Sequence, residues 1–153
     1  MLRSIAICVP IFAMTLLSGG CAPSQEAIEK SIRDEMKSTM KVEVKSIDIK
    51  KQEDGSYIGT ATAENGDTYD ITTEKPDQGK IAWKATPSKT TLERMMSEIV
   101  TNQLNLKVKS LNLDKKEGLN YSGMAESQEG LKFTLTADWD GKQYNLKATP
   151  MAR

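Results

Sequence analysis

The chain has 153 residues, with 21 basic and 21 acidic side chains and no histidine. Balanced, interspersed charge excludes the basic stripe that nucleic acid demands and the polybasic patch of a membrane-surface binder. Without histidine the usual general base, Ser-His-Asp triads and the commonest metal ligand are gone.

Taken in chain order, Met1-Leu2-Arg3 is a short basic start, and Ile5 to Leu17 is an apolar run interrupted at Pro10 and Thr15. That run is too short to span a bilayer, which takes about 20 apolar residues. The small residues Ser18, Gly19 and Gly20 then precede Cys21, as cleavage by a signal peptidase requires. Leu17-Ser18-Gly19-Gly20-Cys21 resembles the end of a bacterial lipoprotein signal. It departs from the family pattern in one respect: the usual leucine stands three places before the cysteine, where this chain has Ser18.

The resemblance covers the first 21 residues. It implies a signal peptide over residues 1–20 and lipid attachment (palmitate or a similar acyl group) at Cys21, which becomes the new N-terminus. The bilayer is then a partner through acylated Cys21, and two acyl chains make such anchoring stable. Ala22, where an aspartate would retain the protein at the inner membrane, implies an outer membrane facing the periplasm in a Gram-negative cell. In other cells it implies the outer face of the cell membrane. An ordinary secretory signal with a coincidental cysteine is the alternative.

Cleavage removes Cys8 and leaves Cys21 alone, so no internal disulfide, thiol catalysis or structural zinc is expected. The remaining body has 20 basic and 21 acidic residues, because Arg3 is the only charged residue before Cys21.

The body reads as a sequence repeated after 64 positions. Pro23-Ser24 returns as Pro87-Ser88, Glu29 as Glu93, and Val44-Lys45-Ser46 as Val108-Lys109-Ser110. Tyr57, Gly59, Ala61, Gly66 and Thr72 return as Tyr121, Gly123, Ala125, Gly130 and Thr136. After a one-residue shift, Lys84-Ala85-Thr86-Pro87 matches Lys147-Ala148-Thr149-Pro150. The two repeats are placed at 21–87 and 88–153.

Each repeat opens on a helical pattern. Ile28, Ile32, Met36 and Met40 fall at steps of four, and Leu92, Met96 and Val100 continue the same stripe in the second copy. Ser24 is the expected N-cap of the first helix, and Thr90 with Glu93 reads as a capping box for the second. The methionines are assigned to the core face.

Alternating strands follow: Ile47/Ile49, Tyr57/Gly59/Ala61/Ala63, Tyr69/Ile71/Thr73 and Ile81/Trp83/Ala85, with Asp54-Gly55 and Asn65-Gly66 as turns. The second copy repeats this through Tyr121, Phe133 and Tyr144. Glycine weakens a strand unless something approaches closely, and for Gly59 and Gly123 the expected neighbour is the helix.

The fold class is therefore α+β: two tandem repeats, each one α-helix followed by a four-stranded antiparallel β-meander. At the level of architecture this resembles cystatin-like helix-plus-meander domains, with no motif that carries a function across. A lone copy of this size is marginal, so the copies are expected to pack together or merge their sheets.

Chemistry is sparse. Glu64, Asp67, Asp70, Glu129, Asp138 and Asp140 cluster near turns, where acidic residues collect for backbone reasons. No phosphate-binding loop or EF-hand spacing occurs. Trp83, Tyr57 and Tyr121 read as core. Trp139 stands where the first copy has Lys75, and it is either a buried sheet edge or an exposed aromatic anchor for a partner.

The reading is a membrane-anchored, non-enzymatic envelope lipoprotein that binds a protein or cell-wall component, with no cofactor and no metal. The alternative is an inhibitor of an envelope hydrolase such as lysozyme or a protease; a carboxylate-based enzyme is the third reading. An extended peptide added to an open sheet edge is a concrete mode of binding.

Overall fold

A computed structural model describes residues 5–8, 11–15, 23–76, 80–141 and 143–151. Cys21 and the residues around it lie outside that set. The fold is α+β, with two antiparallel sheets and a short helix ahead of each meander. By its contacts the chain divides between Ser88 and Lys89, and Ile5–Cys8 belongs with the later unit.

Two short N-terminal strands come first, β1 (Ile5–Cys8) and β2 (Ile11–Thr15). The first unit then runs α1 (Gln25–Glu35), a π-helical turn (Met36–Met40), β3 (Val44–Lys51), β4 (Tyr57–Ala63), β5 (Thr68–Thr73) and β6 (Lys80–Pro87). Its sheet order is β2-β6-β5-β4-β3. The later unit has α2 (Lys89–Leu104), β7 (Val108–Lys115), β8 (Tyr121–Ser127), β9 (Lys132–Trp139) and β10 (Gln143–Pro150), in the order β1-β10-β9-β8-β7. The two sheets are separate, so of the two sequence alternatives the merged sheet does not form.

Ser24 caps α1, its Oγ accepting the Ala27 N–H at 3.2 Å. The stripe at steps of four explains how the helix ends. On an α-helix four residues turn about 400°, so such a stripe drifts about 40° at each step. A π turn advances less per residue and brings the stripe back: Ile28, Ile32 and Met36 are buried, and Met40 packs against the same core. Lys41 closes the turn in the left-handed region (φ 58°), with the Val42 N–H donating to the Met36 carbonyl at 3.2 Å. Asn105 holds the corresponding place after α2, with φ 53°.

The capping box expected at α2 does not form. The helix begins at Lys89, which puts Thr90 inside it, and Glu93 reaches away to β7. Turns follow from glycine: the Gly66 N–H donates to the Ala63 carbonyl and the Gly130 N–H to the Ser127 carbonyl, both at 3.0 Å. Both glycines have positive φ, 87° and 78°, the left-handed position that closes a type I hairpin turn.

The core of the first unit packs Ile28, Ile32 and Met36 onto Ile49, Tyr57, Ala61, Tyr69, Ile71, Ile81, Trp83 and Ala85. The later unit buries the same pattern through Leu92, Met96, Leu113, Phe133, Leu135, Tyr144 and Leu146. Trp83 and both repeated tyrosines, Tyr57 and Tyr121, are core residues as expected. The indole N–H of Trp83 donates to Glu35 Oε2 at 3.1 Å, which satisfies its polar end.

The glycine expectation is corrected. A β-carbon on Gly59 would lie 1.9 Å from the Asp48 carbonyl oxygen, and one on Gly123 would lie 1.9 Å from that of Asn112. In each unit the close neighbour is the backbone of the paired strand, β3 or β7, and not the helix.

Candidate functional site

Trp139 ends β9 half-buried, its ring tilted 58° against Tyr144 at 5.1 Å between centroids. Its backbone N–H donates to Asn120 Oδ1 at 2.7 Å, so the loop before β8 fixes where β9 stops. The residue thus joins the end of the later core while part of its surface remains open, which leaves both sequence alternatives standing.

The turn carboxylates serve the backbone. Asp67 is buried and bonded to the Asn65 amide at 2.9 Å, while the Asp67 N–H donates to Asn65 Oδ1 at 3.0 Å. Asp140 Oδ1 accepts the Gln143 N–H at 2.9 Å. Asp54 accepts both the hydroxyl and the N–H of Ser56, which hold its carboxyl below the usual aspartate range. Among the described residues, no three Cys, Asp or Glu side chains converge as metal ligands.

An open hollow of about 500 Å³ lies beside the π turn, lined by Asp34, Lys37, Ser38, Lys41 and Glu43. The Lys37–Glu43 ion pair at 3.0 Å is well exposed on both sides, so it lends the hollow little rigidity. A second, smaller cavity of about 200 Å³ is lined by Thr72, Thr73, Glu74, Ala82, Trp83 and Lys84, beside the β6 edge. Burial there pushes the Lys84 ammonium below the ordinary lysine range.

The sheet edges separate into two kinds. β3 and β7 carry register shifts, at Val44/Ser46 and Val108/Ser110, and are studded with charge: Lys45, Asp48, Lys50 and Lys51, then Lys109, Asp114 and Lys115. One backbone group on each is taken by a helix side chain. Gln25 Nε2 donates to the Ile49 carbonyl at 3.0 Å, and the Leu113 N–H donates to Glu93 Oε1 at 3.0 Å. Bulges, charges and cover are the known means of blocking strand addition.

The other outer strand of each meander, β6 or β10, lacks a bulge, carries charge at Lys80 and Lys84 or at Lys147, and is covered by a further strand. β6 and β10 pair without register shift with β5 and β9, and Ile81, Trp83, Ala85 and Tyr144, Leu146, Ala148 are buried along them. β2 lies antiparallel on β6 and β1 antiparallel on β10. Sequence reasoning named edge addition in general but missed which edges qualify. Gln25 and Glu93 are 68 positions apart, so the 64-residue repeat, which pairs Glu93 with Glu29, does not reveal that they act alike.

No family description, no curated protein and no solved structure matches the chain.

Proposed function

We propose that the chain is a bacterial envelope lipoprotein, anchored through acylated Cys21, whose body is a non-enzymatic binding module. The observation that carries the reading is the short stretch of sequence between Cys21 and the first helix. Leu17-Ser18-Gly19-Gly20-Cys21 supplies the attachment point, and the cap at Ser24 starts α1 at Gln25. At about 3.3–3.6 Å per extended residue, that places the first helix within about 10–15 Å of the bilayer. The partner is therefore an envelope protein or cell-wall component lying close to the membrane.

The two units are read as copies of one ancestral sequence. Equivalent residues in equivalent conformations support this: Lys41 and Asn105 with positive φ, Gly66 and Gly130 at the turns, and Gly59 and Gly123 under the same paired strand.

Cells expressing the full chain and fed an alkyne-tagged fatty acid test the anchor. Label is expected on the wild-type protein and lost in Cys21→Ser; an unlabelled wild-type chain overturns the lipoprotein reading. Pull-down from detergent-solubilised envelope tests the binding role, and repeated failure to return a specific partner counts against it.

A further inference from the structure

We propose that the β6 and β10 edges are peptide-acceptor sites, each taking an extended, uncharged segment antiparallel in which large apolar and small residues alternate. This rests on the lipoprotein reading, because cleavage before Cys21 would remove β1 and β2 and vacate both edges.

The first support is the contrast between edges. A four-stranded meander has two outer strands, and both units defend the same one, β3 or β7, with a bulge and a helix side chain on its backbone. The other, β6 or β10, is regular, and its inward row is apolar. A chain selected only against aggregation would guard both.

The second support is what lies on those edges. Ile5, Ala6, Ile7 and Cys8 stand opposite Leu146, Asn145, Tyr144 and Gln143. Phe12, Ala13, Met14 and Thr15 stand opposite Trp83, Ala82, Ile81 and Lys80. With Lys84 and Lys147 equivalent, the two registers are the same residue for residue. Two different segments, Ile-Ala-Ile-Cys and Phe-Ala-Met-Thr, thus meet equivalent positions of two edges, and both read large, alanine, large, small.

Backbone polarity fits this register. The Ala82 carbonyl accepts the Glu74 N–H at 2.8 Å, so Ala82 faces β5 and its neighbours Ile81 and Trp83 turn their N–H and C=O groups toward β2. In β10 the Gln143 carbonyl accepts the Asp140 N–H at 3.1 Å, which turns Tyr144 and Leu146 toward β1. The large residues of the incoming segment are therefore the hydrogen-bonded ones, opposite Ile81/Trp83 and Tyr144/Leu146. The alanines fall between them, opposite Ala82 and Asn145.

The occupant is a stretch of another envelope protein with this alternation. Main-chain bonds would supply affinity and the alternate large residues selectivity.

The test uses the mature lipoprotein (residues 21–153) in detergent. The probes are two fluorescent peptides carrying Ile5–Cys8 and Ile11–Thr15, each flanked by lysines for solubility. Control peptides carry proline in place of Ile7 or Met14, which removes a bonded N–H. Both parent peptides are expected to bind, to slow amide exchange in β6 and β10 but not in β3 or β7, and to lose at least tenfold in affinity with proline. The full chain should bind weakly until Ile7→Pro and Met14→Pro release its own strands. That variant also tests the edges without truncation.

Absence of binding by both the mature protein and the released variant overturns the proposal. So does protection on β3 and β7, or protection of β6 and β10 by self-association alone, which would assign the edges to a second copy. Fatty-acid label on Cys21 alongside any of these failures would leave the lipoprotein reading intact, so the two fail separately.

Discussion

Adding one methyl group at Gly59 is the sharpest probe of how each sheet is built. The β-carbon would lie 1.9 Å from the Asp48 carbonyl oxygen and 2.6 Å from Ile49 Cα, where real β-carbons stay beyond 3.0 Å. The obstructing atoms are backbone, so β3 has to withdraw by at least about 1.1 Å, the difference between 3.0 and 1.9.

Two ladder bonds lost at about 0.5–1.5 kcal/mol each, with overpacking of about 1–3 kcal/mol, give a loss of about 2–6 kcal/mol. A unit of this size is stable by only about 3–10 kcal/mol at 0.05–0.15 kcal/mol per residue, so much of its stability goes. Urea unfolding followed by circular dichroism measures it. Gly59→Ala is expected to lower the midpoint of the first unit by about 1 M or more, given slopes of about 1–3 kcal/mol/M. Gly123→Ala should do the same to the later unit. The exposed neighbour substitution Thr60→Ala should stay within about 0.5 kcal/mol. A Gly59→Ala midpoint indistinguishable from that of Thr60→Ala would refute the strand-contact account. If alanine were tolerated and only valine destabilised, a more distant neighbour such as the helix would be restored.

Lys41→Gly relieves a left-handed lysine that costs about 1–2 kcal/mol, against glycine's own entropy and an exposed Lys41 Nζ bond to the Ser38 carbonyl at 2.8 Å. A rise of about 0.5–1 kcal/mol in unfolding free energy is expected, and a smaller one for Asn105→Gly, since asparagine tolerates that region. Trp83→Phe removes the indole bond to Glu35 and should cost about 1–3 kcal/mol; Glu35→Gln, which keeps an acceptor, should cost less in the same melt. The Asp54 carboxyl, held down by its Ser56 bonds, should titrate by NMR below the ordinary aspartate range and return toward it in Ser56→Ala. Its folded value is depressed, so its contribution to stability is present above about pH 4 and is lost as pH falls through the folded value. Ser24→Ala should lower α1 stability by about 0.5–2 kcal/mol, read as faster amide exchange at Ala27.

Much of the architecture was legible in the chain because burial periodicity is a local property. Stripes at steps of four gave the helices, alternation gave the strands, and glycine turns gave the hairpins. Apart from the half-buried Gly59 and Gly123, the inward strand residues from Tyr57 to Ala148 are buried. Readings that depended on a partner from elsewhere in the chain fared less well. Glu93 suits a capping box by spacing, yet it binds the Leu113 N–H, an unpaired donor that a reader of the helix alone cannot see. Gly59 announced a close approach without saying by what. The π turn was written into the exact step of four but became visible only when Met36 and Met40 had to meet one core.

The sequence by itself determined the recurrence of one pattern, the helix-then-meander order of each unit, the core face of each element and the place of Cys21 behind an apolar run. These follow from residue type and spacing, which need no knowledge of distant neighbours. Only the tertiary structure decided which strand edges are closed, because an edge is defined by what does not pair with it. Gln25 and Glu93 each reach the outer strand, β3 or β7, from 20 or more residues away, and the opposite sides, β6 and β10, pair with β2 and β1.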